Sequence, residues 1–391
     1  MIQVRLDGAE VPIPRDVFKL LLDNSVAGTY SAYKKALQTG RIHYADLLIL
    51  SEKGDIPSSL FFAPFGLVQE QVRKKTEKLL SGISRDTFSI GSRAHVELQD
   101  IELIVKDLIR KQQLVRKHDL SLKRNTIVGA LVKLGTTPDE DATKLMSMLG
   151  ITNEAIRVCR TKEIALNFLI ERLEANQILV SRSVPNYMPQ LLRGEKFSGL
   201  TIRDTKVPYI FLAGGDHKDN QEPVGRMIFT LVLMSVLVAR RIFAPMTWEG
   251  GNTRTEPGRE YDIAGAMLMP AKKFKEMGPT TLGDLKAVSD DFKVTSSAAT
   301  VRAMRLGIIN GETATRYLEE LREEFQSLPK AGPRNKIKPE NGVIKYNGRE
   351  LTRRMLQALD NQSISQGEFC RSVCLNRLKP VQIGDLRKAI K

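Results

Sequence analysis

Few residues in this sequence have the types and spacing that metal or nucleophilic chemistry requires. Histidine, a common zinc ligand, occurs only at His43, His95, His118 and His217, and no two of these lie one helical turn apart. Only His217 stands in a polar cluster, Asp216-His-Lys-Asp219, which could bind a metal or a phosphate. Loops of this composition are more often simply solvated. No nucleophile with a neighbouring base stands out.

Two further motifs give weak chemical signals. Cys370 and Cys374 are four residues apart on a predicted helix, so they share a face. Without additional Cys or His they are better interpreted as small buried side chains than as metal ligands. Gly214-Gly215 follows a strand-like run but lacks the third glycine and the lysine of a phosphate-binding loop. We therefore expect no cofactor.

The segment from Tyr209 to Phe274 is the most distinctive part of the chain. A strand-like run (209–213) leads through a polar loop into the uncharged stretch Met227 to Ala239. A bilayer span needs about 20 apolar residues, so this shorter stretch predicts a buried helix and no membrane contact. A Gly-rich loop then precedes a closing segment that ends at Met269-Pro270.

Two motifs in this segment resemble the ImmA/IrrE family of zinc metallopeptidases. They are Phe229-Thr-Leu231 and Ala264-Gly-Ala-Met-Leu-Met-Pro270, separated by a distance that fits the family. In that family Phe-Thr-Leu leads into Ala-His-Glu-x-x-His, and a later Glu completes the zinc site. The resemblance implies a zincin-like arrangement, in which a small three-stranded sheet packs on the buried helix.

The zinc-binding positions of the family are replaced in this sequence. The two His positions fall on Leu233 and Leu237, and the Glu position falls on Met234. Leucine and methionine can neither hold zinc as the two imidazoles do nor take a proton from a bound water. The third ligand should lie near Arg259, with Glu260 one place away and turned roughly 100° around a helix. The resemblance therefore predicts a pseudo-peptidase without a metal.

The N-terminal segment resembles the last helices of XRE-type helix-turn-helix regulators, which often accompany ImmA/IrrE domains. The resemblance is carried by an apolar and proline pattern, formed by Ile56, Pro57, Leu60, Phe61, Phe62 and Pro64. The alternative is a helical packing domain with no role in DNA recognition.

The net charge of +15 raises the expectation of a polyanionic partner, and nucleic acid is the commonest one inside cells. Basic residues recur on the polar faces of two predicted helices and just beyond the second. The candidate nucleic-acid-binding residues are Arg73, Lys74, Lys75, Lys106, Arg110, Lys111, Arg116, Lys117, Lys123 and Arg124. The alternative is an ordinary solvated face.

The fold class predicted from these patterns is α+β and mostly helical, with helical domains on either side of the small sheet. Strands are expected only at 178–184, 200–204 and 209–213. The predicted segments are an XRE-like region (1–66), a helical region with a basic face (67–176), the pseudo-peptidase domain (177–278), a helix-turn-helix-like extension (279–328), a basic linker (329–348) and a C-terminal helical unit (349–391).

Three functional hypotheses follow. The first is a catalytically inactive ImmA/IrrE-like regulator, of phage or mobile-element type, that binds DNA and/or a protein. The second is an interaction protein that contacts a repressor or antitoxin without DNA. The third is a metallopeptidase whose metal site is rearranged around His217 and Glu260. The N-terminus shows no signal-peptide layout and there are only three cysteines, so a cytoplasmic location is expected.

Overall fold

The computed structural model describes residues 1–23, 25–54, 56–79, 98–190, 192, 197–214, 223–247, 258–327 and 337–390. Within these ranges the chain is mostly helical with two small sheets, which confirms the predicted α+β class. The chain forms two compact units. The first comprises residues 1–81, 95–110 and 189–195, and the second comprises residues 82–94, 111–188 and 196–391.

The first unit begins with a sheet that the sequence analysis did not expect. Strands β1 (Ile2–Leu6) and β2 (Ala9–Ile13) form an antiparallel hairpin, and β3 (Arg41–His43) pairs with β1 in parallel. The two-residue turn is Asp7-Gly8, with both residues at positive φ, as a tight hairpin turn requires. The expectation that all strands lie between 178 and 213 is therefore wrong. The Asp-Gly pair between apolar residues was the local signal for this hairpin.

Helices complete the first unit and enclose its core. They are α1 (Arg15–Asp23), α2 (Ser31–Thr39), α3 (Tyr44–Gly54), α4 (Phe65–Leu79) and the first part of α5 (Leu98–His118). Ile2, Val4, Phe18, Leu50 and Phe61 are among the buried residues that join the sheet to the helices. The amphipathic pattern from residue 97 onward predicts one long helix or two joined end to end, and the structure has the single helix α5 there.

The second unit contains the predicted strands, with a fourth added. Strands β4 (Leu179–Arg182), β5 (Phe197–Ile202), β6 (Tyr209–Leu212) and β7 (Pro245–Thr247) form a sheet of order β4-β6-β5-β7. The expected three-stranded sheet is thus four-stranded. The three residues of β7 pair antiparallel with β5 across a long sequence separation, which no local pattern reveals.

Helices make up most of the rest of the second unit. They are the end of α5, then α6 (Pro138–Leu149), α7 (Asn153–Arg157), α8 (Lys162–Ala175), α9 (Val224–Arg240), α10 (Arg259–Leu268), α11 (Ala271–Met277), α12 (Leu282–Asp291), α13 (Ser296–Arg305), α14 (Gly311–Ser327), α15 (Pro339–Asn347), α16 (Arg349–Asp360), α17 (Gln366–Glu368) and α18 (Ile383–Ile390). Helices α8, α9 and α15 contact the sheet. Pro339–Asn347, which the sequence analysis placed in a linker, is a helix with Val343, Ile344 and Tyr346 buried.

Helix α9 contacts β5 and β6 of the sheet as well as helices α8 and α10. Its approach to the sheet depends on Gly199 in β5. A Cβ at that position would lie 2.2 Å from the Phe211 carbonyl oxygen and 2.9 Å from Cε of Met234 on α9. Only glycine leaves room for both the neighbouring strand and the helix. The sheet-on-helix packing expected from the sequence is therefore present.

Candidate functional site

The residues at the expected zinc-binding positions lie inside a continuous apolar core. Leu233, Met234 and Leu237 on α9 are exposed by 1%, 0% and 0%. Their neighbours along α9 from residue 230 to residue 239 are buried as well. A hydrolytic zinc site needs imidazole or carboxylate ligands and an open position for water. Leu233, Met234 and Leu237 supply neither the ligands nor the open position, and they are buried from solvent.

The acidic residue next to the third ligand position forms an ion pair. Oε1 of Glu260 accepts a hydrogen bond of 2.9 Å from Nε of Arg240, at the end of α9. The same guanidinium donates from Nη1 to the carbonyl oxygens of Leu131 and Val132. Glu260 is 8% exposed and therefore acts as a structural partner that joins α10 to α9.

Arg259, at the expected ligand position itself, is also fixed by hydrogen bonds. Its Nη2 donates to Oδ2 of the buried Asp141 and to the carbonyl oxygen of Gly135, both at 2.9 Å. Asp141 accepts a further bond from the Gly135 N–H. Arg259 is thus a cation at the position where we expected a metal ligand, and its charge is balanced by Asp141 on α6.

The histidines and cysteines do not form a metal centre in the described part of the chain. His43 is exposed on β3, and His118 ends α5. His95 and His217 lie outside the described residues, so the hypothesis of a site around His217 and Glu260 stays a prediction. No group of three or more His, Cys, Asp or Glu among the described residues could hold a metal ion.

Cys370 and Cys374 are both buried, as the sequence analysis favoured. Burial raises the pKa of the Cys374 thiol to about 12, and the neighbouring Cys370 contributes in the same direction. Since the thiolate is the form that acts as a nucleophile or a metal ligand, a thiol that stays protonated at neutral pH is unreactive. These side chains are packing elements of the C-terminal helices.

Half of the ten candidate nucleic-acid-binding residues lie in the first unit, and each of them is paired with a carboxylate. The pairs are Arg73–Glu77 at 3.0 Å, Lys74–Glu70 at 2.7 Å, Lys75–Glu102 at 3.0 Å, Lys106–Glu102 at 3.0 Å and Arg110–Asp107 at 2.5 Å. Their charges are largely offset locally, so this part of the predicted basic face is a weak attractor for phosphates.

Lys111 does not lie on the solvated basic face at all. It is 1% exposed, donates to Oδ1 of Asn347 at 2.6 Å and stands 4.1 Å from the centre of the Tyr346 ring. The buried ammonium is compensated by an amide oxygen and an aromatic face, as burial of a charge requires. Lys111 thus holds α5 to α15 and is removed from the candidate binding surface.

The remaining four candidates lie at and beyond the end of α5. Arg116 is paired with Asp204 at 2.9 Å, yet its side chain is 52% exposed. Lys117, Lys123 and Arg124 are exposed and form no ion pair with any described residue. Arg203 and Lys206, in the loop between β5 and β6, are also exposed, although they were not among the predicted candidates. Their proximity depends on tertiary contacts, so no local pattern could have indicated it.

The helix-turn-helix-like extension offers no basic recognition helix. Thr295 caps α13, its Oγ1 accepting from the Ala298 N–H at 3.2 Å. The two arginines of α13 face inward: Arg302 is buried and donates to the Met269 carbonyl oxygen, and Arg305 pairs with Asp262. The first turn of α9 packs against the turn between α12 and α13. A Cβ on Gly225 would lie 2.6 Å from the Val294 carbonyl carbon. These helices are packed as a support for α9 and α10.

The chain matches no family model, no curated protein and no solved structure. Across the described ranges no helix combines the length and apolar character that crossing a bilayer demands.

Proposed function

We propose that the chain is a non-catalytic regulator, built on an ImmA/IrrE-like, zincin-like scaffold, that acts by binding DNA. The observation that carries the loss of catalysis is the environment of Leu233, Met234 and Leu237. These three side chains are buried in an apolar core, and Glu260 and Arg259 on α10 are held in ion pairs with Arg240 and Asp141. This apolar core with internally paired charges supports the proposal, because hydrolytic zinc chemistry needs a polarised water.

Metal analysis tests the non-catalytic half of the proposal. We expect the protein, purified without chelator, to contain far less than one equivalent of zinc. We also expect its Tm to be unchanged by added zinc or EDTA, because only binding to the folded state would shift it. Stoichiometric zinc, together with a Tm lowered by EDTA, would contradict the proposal and favour a rearranged site around His217. A Glu260→Gln variant would then lose that zinc if Glu260 is a ligand.

The DNA-binding half of the proposal rests on charge. The chain carries a net charge of +15, and several cations of the second unit stay exposed and unpaired with any described carboxylate. Such cations attract the phosphate backbone and release counterions on binding, so affinity should fall steeply with salt.

A protein partner, such as a repressor or antitoxin, is the second candidate. It is favoured by large apolar side chains exposed on the first unit, namely Leu48, Ile49, Phe62, Phe65 and Leu67. Exposed apolar groups of this size are common at protein interfaces. This candidate differs from the first in that the complex would survive nuclease treatment and would depend little on salt.

A further inference from the structure

Six exposed cations of the second unit belong to two segments that are joined to each other. The first segment is the last turn of α5 and the stretch that follows it, and the second is the β5–β6 loop. Together we call these residues the basic patch: Arg116, Lys117, Lys123, Arg124, Arg203 and Lys206. All six belong to one compact unit.

Hydrogen bonds hold the two segments side by side. The Asn125 N–H donates to the Thr205 carbonyl oxygen at 2.8 Å. Nε2 of Gln177 donates both to the carbonyl oxygen of Lys123, at 2.9 Å, and to that of Lys206, at 3.0 Å. Because one nitrogen contacts both carbonyls, Lys123 and Lys206 must be close neighbours. The basic patch is therefore formed by two segments that the fold holds together, and it is not merely a result of the high Lys and Arg content.

The carboxylates on these segments are already engaged. Asp204 is buried and accepts from Arg116 as well as from the backbone N–H groups of Lys206 and Val207. Asp119 accepts from Ser121 and pairs with Arg354. The two segments thus carry six cations and only two carboxylates, and both carboxylates already accept hydrogen bonds. The basic patch keeps a positive excess that the paired cations of the first unit lack.

We propose that the basic patch is where the chain contacts the phosphate backbone of duplex DNA, an inference that rests on the DNA-binding half of the proposed function. Lys and Arg contacts to phosphates position a protein without reading bases. The segments 116–126 and 203–206 contain no Phe, Tyr or Trp that could stack on unpaired bases, and their one imidazole, His118, is half-buried, which favours a duplex over a single strand. Binding should accordingly be independent of sequence.

The test compares two variants of the full chain that lose the same charge. The patch variant is Lys117→Gln/Lys123→Gln/Arg124→Gln/Lys206→Gln. The control variant, Lys272→Gln/Lys275→Gln/Arg371→Gln/Arg377→Gln, removes four exposed cations of the second unit that lie outside the basic patch. Arg116 is retained in both because it neutralises the buried Asp204. Binding of a labelled duplex of about 30 base pairs is followed by anisotropy over a salt series.

We expect the patch variant to bind about 100-fold more weakly than the unchanged protein near 0.1 M salt, and the slope of log Kd against log salt to fall by about 3–4. The control variant should stay within about fivefold of the unchanged protein, since it keeps the phosphate contacts. A Lys117→Arg/Lys123→Arg/Lys206→Arg variant should bind like the unchanged protein, which separates loss of charge from loss of structure. A single strand of equal length should bind more weakly than the duplex.

The possible contrary results are distinguishable. If the unchanged protein fails to bind duplex at low salt, both the DNA half of the proposed function and the basic patch assignment are overturned. If it binds and both four-residue variants weaken equally, only the patch assignment is overturned. The assignment also fails if the patch mutations spare duplex binding but abolish binding to vesicles of anionic phospholipid, because the surface would then face a membrane.

Discussion

Glu174 is a carboxylic acid placed where water hardly reaches. It lies near the end of α8, is 5% exposed, and accepts a hydrogen bond at Oε2 from the Glu350 N–H at the start of α16. Gly348 closes over it: a Cβ there would lie 2.4 Å from Oε1, and its φ of 87° also favours glycine. Burial raises the pKa of the Glu174 carboxyl to about 8, while amide hydrogen bonds and Arg182 act against this shift and Glu350 adds to it.

This raised pKa predicts a pH-dependent stability. Between the ordinary value of 4.5 and about 8, the folded chain keeps a proton on Glu174 that the unfolded chain releases. The stability contributed by the Glu174 carboxyl is therefore complete below pH 4.5 and is lost as the pH rises through about 8, by at most about 5 kcal/mol. Glu174→Gln should remove this loss, so that the variant gains stability relative to the unchanged protein on going from pH 5 to pH 8.5.

Urea unfolding at several pH values measures the effect. Glu171→Gln, which changes an exposed carboxyl on the same helix, serves as the matched control and should leave the pH profile unaltered. Parallel pH profiles for Glu174→Gln and the unchanged protein would show that the Glu174 carboxyl titrates normally in the folded state.

At the level of elements, α9 is the central helix that packs between the sheet and other helices of the second unit. It contacts the sheet through β5 and β6, and it packs on α8 and α10. Met234 lies against Gly199 of β5, and Gly225 lies against the turn before α13. Side chains of α9, Met234 among them, therefore join the sheet to the neighbouring helices.

Shortening a side chain of α9 should consequently destabilise the protein. We expect Met234→Ala or Leu237→Ala to lower the free energy of unfolding by about 2–5 kcal/mol, because each leaves a cavity in a closed core. Ile164→Ala, on the half-exposed side of α8, should cost less than about 1 kcal/mol. Chemical denaturation of the three variants provides the comparison. Equal costs at all three positions would contradict the assignment of α9 as a dry core helix.

At the scale of the whole molecule, the C-terminal helices are part of the second unit and not an appended domain. The Ser181 hydroxyl on β4 donates to the Tyr346 carbonyl oxygen, and the Tyr209 hydroxyl on β6 donates to that of Asn347. Asn347 also accepts from Lys111 and donates to the Val373 carbonyl oxygen at 3.0 Å. These buried bonds, together with the packing of α15 on the edge strand β4, tie the last helices to the central sheet.

These contacts predict that the chain holds together when it is cut before α15. After cleavage at a protease site engineered between Ser327 and Ile337, we expect both fragments to elute as one species in gel filtration. Asn347→Ala removes a partner of the buried Lys111 ammonium, which is strongly destabilising, and should promote separation of the cut fragments. If the cut fragments of the unchanged protein separate without denaturant, the C-terminal helices are an independent unit.

Local sequence patterns determined the parts of this structure that depend on near neighbours. The caps at Thr137 and Thr152, the long helix α5 and the buried run of α9 are all recognisable because their signals lie within a few residues. The Asp7-Gly8 hairpin belongs to the same class, although the sequence analysis overlooked it.

Tertiary structure alone decided which polar groups are free to act. Lys111 appeared on a basic helical face, but its partner Asn347 is 236 residues away and draws it into the interior. Lys123 and Lys206 are far apart in sequence, and they are neighbours only because Gln177 donates hydrogen bonds to both of their carbonyl oxygens. Residue types and short spacings specify helices and a core, because those depend on local periodicity and burial. Charge pairing between distant segments depends on the completed fold, so the sequence could name candidate cations but not the surface they form.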